Sequence, residues 1–364
     1  MIHLFRRVVL APAVIVVTVL LLSTIPLWLI LAALLSPVAQ GRLRPLRLLW
    51  LVMLHLVLES LMLVELFGLW IASGFGVLIR RSFFERIHYD IVQTYLWIFF
   101  REARRVLHLE ILTQGPTPDA FPGEPLLVCC RHAGPGDSFT LMHALMHWYG
   151  REPRVVLKDT LAWDPAIDVL LNRLPARFVS PKGGPGDDVE KQIGALAHDL
   201  DENDAFVIFP EGGNFTPGRR QRSIDKLRRL GLEGLASRAE NMENVIAPRP
   251  GGLLAALDGA PEADIILVAH TGLDHLLTVR DLWRELPMDK QIIMRWWRVP
   301  RHDIPDGRDE RIDWLFSRWE EIDRWIAEHR PVDLPTKKKK KKKDSTRAAA
   351  ASGPTGPTSS SPSS

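Results

Sequence analysis

Cysteine is nearly absent from this 364-residue sequence: only Cys129 and Cys130 occur, and they are neighbours. Adjacent residues on a strand point to opposite faces, so the two do not form a structural disulfide with each other, and a reducing compartment with two small buried hydrophobes is expected. A nucleic-acid-like excess of positive charge is also missing. The formal net charge is +3, yet Lys337 to Ser364 carry seven lysines and one arginine against one aspartate, and residues 1–110 carry 11 arginines against 6 acids. Residues 111–336 are therefore acidic, at −9, and no nucleic-acid partner is expected. No Gly-x-Ser-x-Gly occurs, which argues against an ordinary serine hydrolase. The glycine-rich stretch Lys182 to Asp187 lacks the Gly-Lys-Ser/Thr ending of a nucleotide phosphate loop and reads as a turn. His143 and His147 have a zinc-compatible spacing, but no glutamate follows the first and no third ligand is near; neither metal nor cofactor is expected.

Long apolar runs are what the chain has in abundance. Val8 to Leu35 contains no charge over 28 residues, more than the roughly 20 that cross a hydrocarbon core as a helix. A polar break, Gln40 to Arg47, leads into a second apolar stretch from Leu48 to Ile79 rather than into a cleaved, polar mature chain, which excludes a signal peptide. This second stretch contains His55, Glu59 and Glu65, so it pairs its carboxylates, turns them to protein or lies at the interface. Arginines flank every end, so charge does not choose an orientation. A hairpin inserted from the cytoplasmic side of the cell membrane and a full two-pass span both fit. Residues 1–85 read as a membrane hairpin, and 86–110, with Trp97, Phe99, Phe100, Arg101, Arg104 and Arg105, as an interfacial helix or one packed on the soluble domain. Residues 336–364 read as a disordered polybasic tail suited to anionic lipid.

Between these ends, residues 111–335 alternate. Strand-sized apolar runs at Leu126 to Cys130, Val155 to Leu157, Phe206 to Phe209 and Ile265 to Ala269 are separated by helical patterns at Ser138 to Tyr149, Val189 to Leu200 and Lys226 to Glu240. This order predicts an α/β fold with a mixed, mostly parallel sheet flanked by helices. Trp283 to Trp297 and the charged helix Asp309 to His329 are expected to pack around the sheet. Chemistry in such sheets collects beyond the carboxyl ends of strands, and there stand His132, Lys158, Glu211 and His270.

In Arg131-His132-Ala133-Gly134-Pro135-Gly136-Asp137-Ser138, a Gly-Pro-Gly turn can fold the Asp137 carboxylate onto the His132 imidazole while Asp137 or Ser138 caps the next helix. That pair suits general-base chemistry on an attacking hydroxyl, with no enzyme nucleophile required. In Phe209-Pro210-Glu211-Gly212-Gly213-Asn214, small residues let a substrate approach, Glu211 is a candidate to hold acceptor hydroxyls, and Arg219, Arg220 and Arg222 are candidates to meet a phosphate.

Taken in order, these pieces resemble the glycerophospholipid acyltransferases typified by 1-acylglycerol-3-phosphate acyltransferase. The first block is His132 and Asp137, the second runs from Lys158 and Pro165 to Lys182, the third is Phe209 to Gly212, and the fourth is Val245 to Gly252 with its Pro248-Arg249 step. The resemblance implies transfer of a fatty acyl group from acyl-CoA or acyl carrier protein to lysophosphatidic acid or a related lysophospholipid, at the bilayer, in phospholipid biosynthesis. It implies His132 and Asp137 as base and orienting partner, and Glu211, Gly212, Lys182, Arg219 and Lys158 as acceptor-binding. Two departures, Asn214 where an arginine is usual and the looser match at Lys182, leave open another lipid or glycolipid acceptor. A catalytically silent membrane-anchored scaffold is the reading from another class.

Overall fold

The computed structural model describes residues 2–39, 43–116, 123–134, 136–179, 189–272, 274, 283–284, 286 and 288–330. The uncharged N-terminal run folds as two helices, α1 (Ala11–Ser23, after a π-helical turn at Arg6–Leu10) and α2 (Ile25–Leu35). Pro26 lacks the N–H that would continue the α1 ladder, and Thr24 leaves helical geometry at φ −103° and ψ 13°. Helix α3 (Arg44–Ala72) packs alongside: Ser60 donates to Thr18 Oγ1 at 2.9 Å, and Thr18 in turn donates to the Val14 carbonyl at 2.8 Å. These hydroxyls satisfy one another where water is scarce. Arg6–Ser23 and Arg44–Ala72 are each long and apolar enough to cross a membrane.

Both ends of the hairpin are tied to the rest of the protein. Arg6 donates to the Ala162 carbonyl at 2.6 Å and Arg7 pairs with Asp168 at 2.9 Å. On that side Arg173 also donates to the Leu66 carbonyl of α3 at 2.8 Å, and at the opposite end of α3 Arg44 donates to the Leu286 carbonyl at 2.9 Å and Arg47 to that of Val106. Helix α4 (Ser82–Leu107) buries Tyr89, Tyr95, Ala103 and Leu107, and Gln93 donates to the Met146 carbonyl, so this face packs on the α/β region while Phe83 stays exposed.

The sheet has seven strands in the order β1 (Leu109–Gln114), β7 (Lys290–Val299), β6 (Asp264–Thr271), β2 (Leu126–Cys130), β5 (Asp204–Ile208), β3 (Glu152–Lys158) and β4 (Ala176–Val179). Every pairing is parallel except β6 with β7. Strand period two divides the core. Leu127, Cys129, Phe206, Ile208, Ile265 and Leu267 face one layer with Phe316 and Trp319; Leu126, Val128, Cys130, Val207, Ile266 and Trp296 face the other with Leu141 and Leu145. The first layer is built by α7 (Val189–Leu196), α8 (Pro217–Arg229), α9 (Glu233–Asn241), α10 (Pro250–Gly259) and α11 (Arg308–His329), the second by α5 (Asp137–His143) and its π-helical extension Ala144–Trp148. Helix α6 (Pro165–Leu171) buries Ala166 and Leu170 beside the hairpin.

Two expectations change. Residues 290–299 do not wrap the sheet but enter it as β7: Arg295 and Arg298 interrupt the apolar run that marks a buried strand, although Met294 and Trp296 are buried on alternate positions. The helix read over Lys226 to Glu240 is broken between α8 and α9 by Gly231, at φ +73°. Lys182, its glycine-rich neighbours and the polybasic tail lie outside the described residues.

Cys129 and Cys130 are fully buried on opposite faces, and burial pushes both thiols well above the ordinary range. Neither is therefore expected to react with a maleimide in the native protein; quantitative labelling by mass spectrometry should appear only on addition of denaturant.

Candidate active site

Because β2, β3, β5 and β6 are mutually parallel, their carboxyl ends share one edge, and the polar residues that follow them converge there. His132 follows β2 and is gripped through its backbone. Its N–H donates to Glu211 Oε1 at 3.3 Å, and its carbonyl accepts from Phe215 N–H at 2.7 Å. Its ring leans on Phe209 at a centroid distance of 4.7 Å.

Asp137 opens α5, yet neither it nor Ser138 caps that helix: Gly136 occupies the cap position without a side-chain bond. The Asp137 carboxylate folds back instead. Its Oδ2 accepts from Gly134 N–H at 2.5 Å and lies 3.5 Å from His132 Nδ1, an ion-pair distance rather than a tight hydrogen bond. A second imidazole, His270 Nε2, lies 3.5 Å from the same oxygen. Burial raises the Asp137 carboxyl, but the charge of His270, the His132 contact and the Gly134 N–H outweigh it and hold the group below its ordinary range. With Nδ1 turned to the carboxylate, His132 keeps Nε2 for another partner.

Glu211 is 1% exposed, with Oε1 on His132 N–H and Oε2 on Ile246 N–H at 3.3 Å, so it braces the β2–α5 turn against the segment before α10. Burial raises its carboxyl to about 8 against the opposing charge of Arg131. Arg131 is itself buried; it pairs with Asp274 and donates to the carbonyls of His270 at 2.6 Å and Asn244 at 2.9 Å. Although Asp274 is buried, the guanidinium holds its carboxyl at about 2.

Three cations gather over the turn after β5. Gly212 has φ +67°, a conformation that disfavours a side chain, and a Cβ there would stand 2.9 Å from the Arg249 guanidinium. A Cβ on Gly213 would meet Lys158 Nζ at 3.3 Å and Arg219 at 3.4 Å. The Lys158 ammonium is depressed by partial burial and by the charges of Arg219 and Arg249. Such a crowd of positive charge over backbone without side chains is a place for an anion. Arg220 turns away to the Met242 and Glu240 carbonyls. Sequence reasoning passed over Arg249 as a ligand, although its position between two prolines at the start of α10 marks a cation held on stiff backbone. It noted His270 only as a polar residue ending a strand.

His143 and His147 stack at 5.3 Å, with His143 also stacked on Phe100 at 4.7 Å, and burial followed by the charges of His147 and Arg104 lowers His143 to about 4. Stacked rings do not converge their nitrogens, so this pair is packing.

Residues 104–248 match the Acyltransferase family model. Curated relatives include an uncharacterised acyltransferase of Schizosaccharomyces pombe, 22% identical over 183 residues (47% of this chain, 50% of that protein). Lysocardiolipin acyltransferase 1 of Mus musculus is 23% identical over 249 residues (67% of this chain, 64% of that protein). This chain thus spans between half and just under two thirds of the length of these relatives. Among solved structures, the 1-acyl-sn-glycerophosphate (LPA) acyltransferase PlsC of Thermotoga maritima aligns at a TM-score of 0.49 with 12% identity, over 78% of this chain and 97% of that one.

Proposed function

We propose that the chain is a glycerophospholipid acyltransferase, its residues 104–248 matching the Acyltransferase family model, and that it transfers a fatty acyl group from acyl-CoA or acyl carrier protein to the hydroxyl of lysophosphatidic acid or a related lysophospholipid. The observation that carries this reading is the pairing of His132 with Asp137 on the same sheet edge as the Lys158, Arg219 and Arg249 cluster. Among the described residues no serine or cysteine side chain is hydrogen-bonded to the His132 ring, which suits direct attack. His132 Nε2 takes the proton of the acceptor hydroxyl, whose oxygen adds to the thioester carbonyl; collapse breaks the carbon–sulfur bond, and the imidazolium returns the proton to the leaving thiolate. Asp137 stabilises the imidazolium meanwhile. The cation cluster holds the acceptor's phosphate, with Arg219 and Arg249 supplying the forks that Asn214 does not.

The membrane hairpin brings this chemistry to the lipid. Leu161 and Trp163 are exposed on the turn that follows Lys158, and Arg6 of the hairpin bonds to Ala162 within it. Helix α3, 29 residues and so about 43 Å long, is bonded near both ends to the one α/β domain. A helix crossing the bilayer would carry those ends to opposite faces, which supports a hairpin held in one leaflet, on the cytoplasmic side of the cell membrane, over a two-pass span.

The test is transfer of labelled acyl groups from acyl-CoA and from acyl carrier protein, by purified protein in mixed micelles, to lysophosphatidic acid and to monoacylglycerol. Product with the phosphate-bearing acceptor is expected. Arg249→Ala should raise its KM about 10- to 100-fold, the worth of one charge-assisted bond, with little change in kcat. Equal use of monoacylglycerol, or an unchanged KM in that variant, would move the acceptor to an uncharged lipid or glycolipid.

A further inference from the structure

His270 takes no part in the transfer as drawn, yet its ring reaches the carboxylate oxygen that serves His132. It lies near the carboxyl end of β6, 7% exposed, with Nε2 at 3.5 Å from Asp137 Oδ2 and 3.4 Å from the Arg131 carbonyl. Both neighbours are acceptors, so Nε2 carries a proton. The backbone around it is pinned: its carbonyl accepts from Arg131, and Thr271 donates to Asp274 Oδ2 at 2.6 Å. Facing it are Asp137 from α5, Arg131 from the end of β2 and Asp274 beyond β6, with His132 across the shared carboxylate.

We propose that His270 is a positioning residue for Asp137: its Nε2–H and the Gly134 N–H together fix Oδ2, so that the carboxylate stays turned to His132 Nδ1 and ionised in a buried site. A carboxylate held by a single backbone N–H can rotate away or take up a proton; a second donor from a different element removes both escapes. Two imidazoles on one oxygen are thus unequal, one at the reacting hydroxyl and one behind it. The kinetic consequence rests on the acyltransferase reading, whereas the effect on His132 does not.

Full-length protein in detergent carrying His270→Leu or His270→Gln separates a donor from a packing role, because glutamine places its Nε2–H as many bonds from the backbone as histidine does. In the leucine variant kcat is expected to fall about tenfold at unchanged KM, and in the glutamine variant to stay within about threefold of wild type. A leucine variant with wild-type kcat, or a glutamine variant that falls as far, overturns the proposal. His270→Met takes the place of the leucine variant should the latter fail to accumulate.

A second readout needs no turnover: the rate at which diethyl pyrocarbonate modifies His132 at a fixed pH, followed by mass spectrometry. The rate should differ from wild type by more than about threefold in the leucine variant, whose carboxylate no longer holds the His132 ring, and match wild type with glutamine; a leucine variant modified at the wild-type rate overturns the proposal. An inactive wild type with the expected change in rate would sink the acyltransferase reading and leave His270 standing. An active wild type with no change would do the reverse.

Discussion

Replacing His132 by alanine is expected to reduce acyl transfer by about 10²- to 10⁴-fold while leaving the protein folded. Its imidazole contributes little to the core: the ring rests on Phe209 at 4.7 Å, and the interactions that hold the turn belong to its backbone, which alanine keeps. The loss should therefore fall on kcat with KM little altered. Membranes bearing wild type or His132→Ala, incubated with labelled acyl-CoA and lysophosphatidic acid, measure it directly. Asp137→Asn should lose nearly as much, since an amide neither stabilises the imidazolium nor selects the required tautomer. Retained turnover in His132→Ala would end the direct-attack mechanism.

The second large effect concerns stability. Glu211 is buried, and its carboxyl is raised to about 8 from an ordinary value near 4.5. A folded-state value above the unfolded one means that the neutral form is favoured on folding. The stability that Glu211 contributes is complete below about pH 4.5 and is lost as pH rises through 8. Across that window the loss approaches about 1.4 kcal/mol per pH unit. Glu211→Gln cannot ionise, so relative to wild type it should gain by that slope between pH 5 and pH 8, whatever constant offset the amide introduces. Urea titrations in micelles at pH 5, 6.5 and 8, followed by tryptophan fluorescence, give the three differences. A difference that does not change with pH would mean that Glu211 stays ionised in its pocket, with the Arg131 charge and the two backbone N–H groups outweighing desolvation.

The strands that the sequence marked well are those buried on both faces. Leu126 to Cys130, Phe206 to Phe209 and Ile265 to Ala269 read as unbroken apolar runs because each side chain, up or down, meets a helix layer. β7 escaped for the opposite reason. It lies toward one side of the sheet, where Arg298 pairs with Asp264 and Arg295 stacks near Trp297, so its charged positions have local partners. The Arg298–Asp264 pair joins residues 34 apart in the chain and leaves no short-range mark.

The site divides the same way. His132 and Asp137 stand five apart in the chain, and contacts so local leave their mark in residue order, which alone pointed to the pair. Lys158 and Glu211 announced themselves as polar residues closing apolar runs. The inward swing of Glu211, the arrival of Arg249 over Gly212 and the second imidazole on Asp137 each depend on elements more than thirty residues apart in sequence. By itself, then, the sequence determined the two apolar N-terminal helices and the α/β plan, the strand ends where polar groups gather and the His132–Asp137 pair, because periodicity and turns act over a few residues. Only the tertiary structure decided which of those polar groups face solvent, which brace one another and which meet at one carboxylate, because burial and charge proximity depend on all neighbours in space at once.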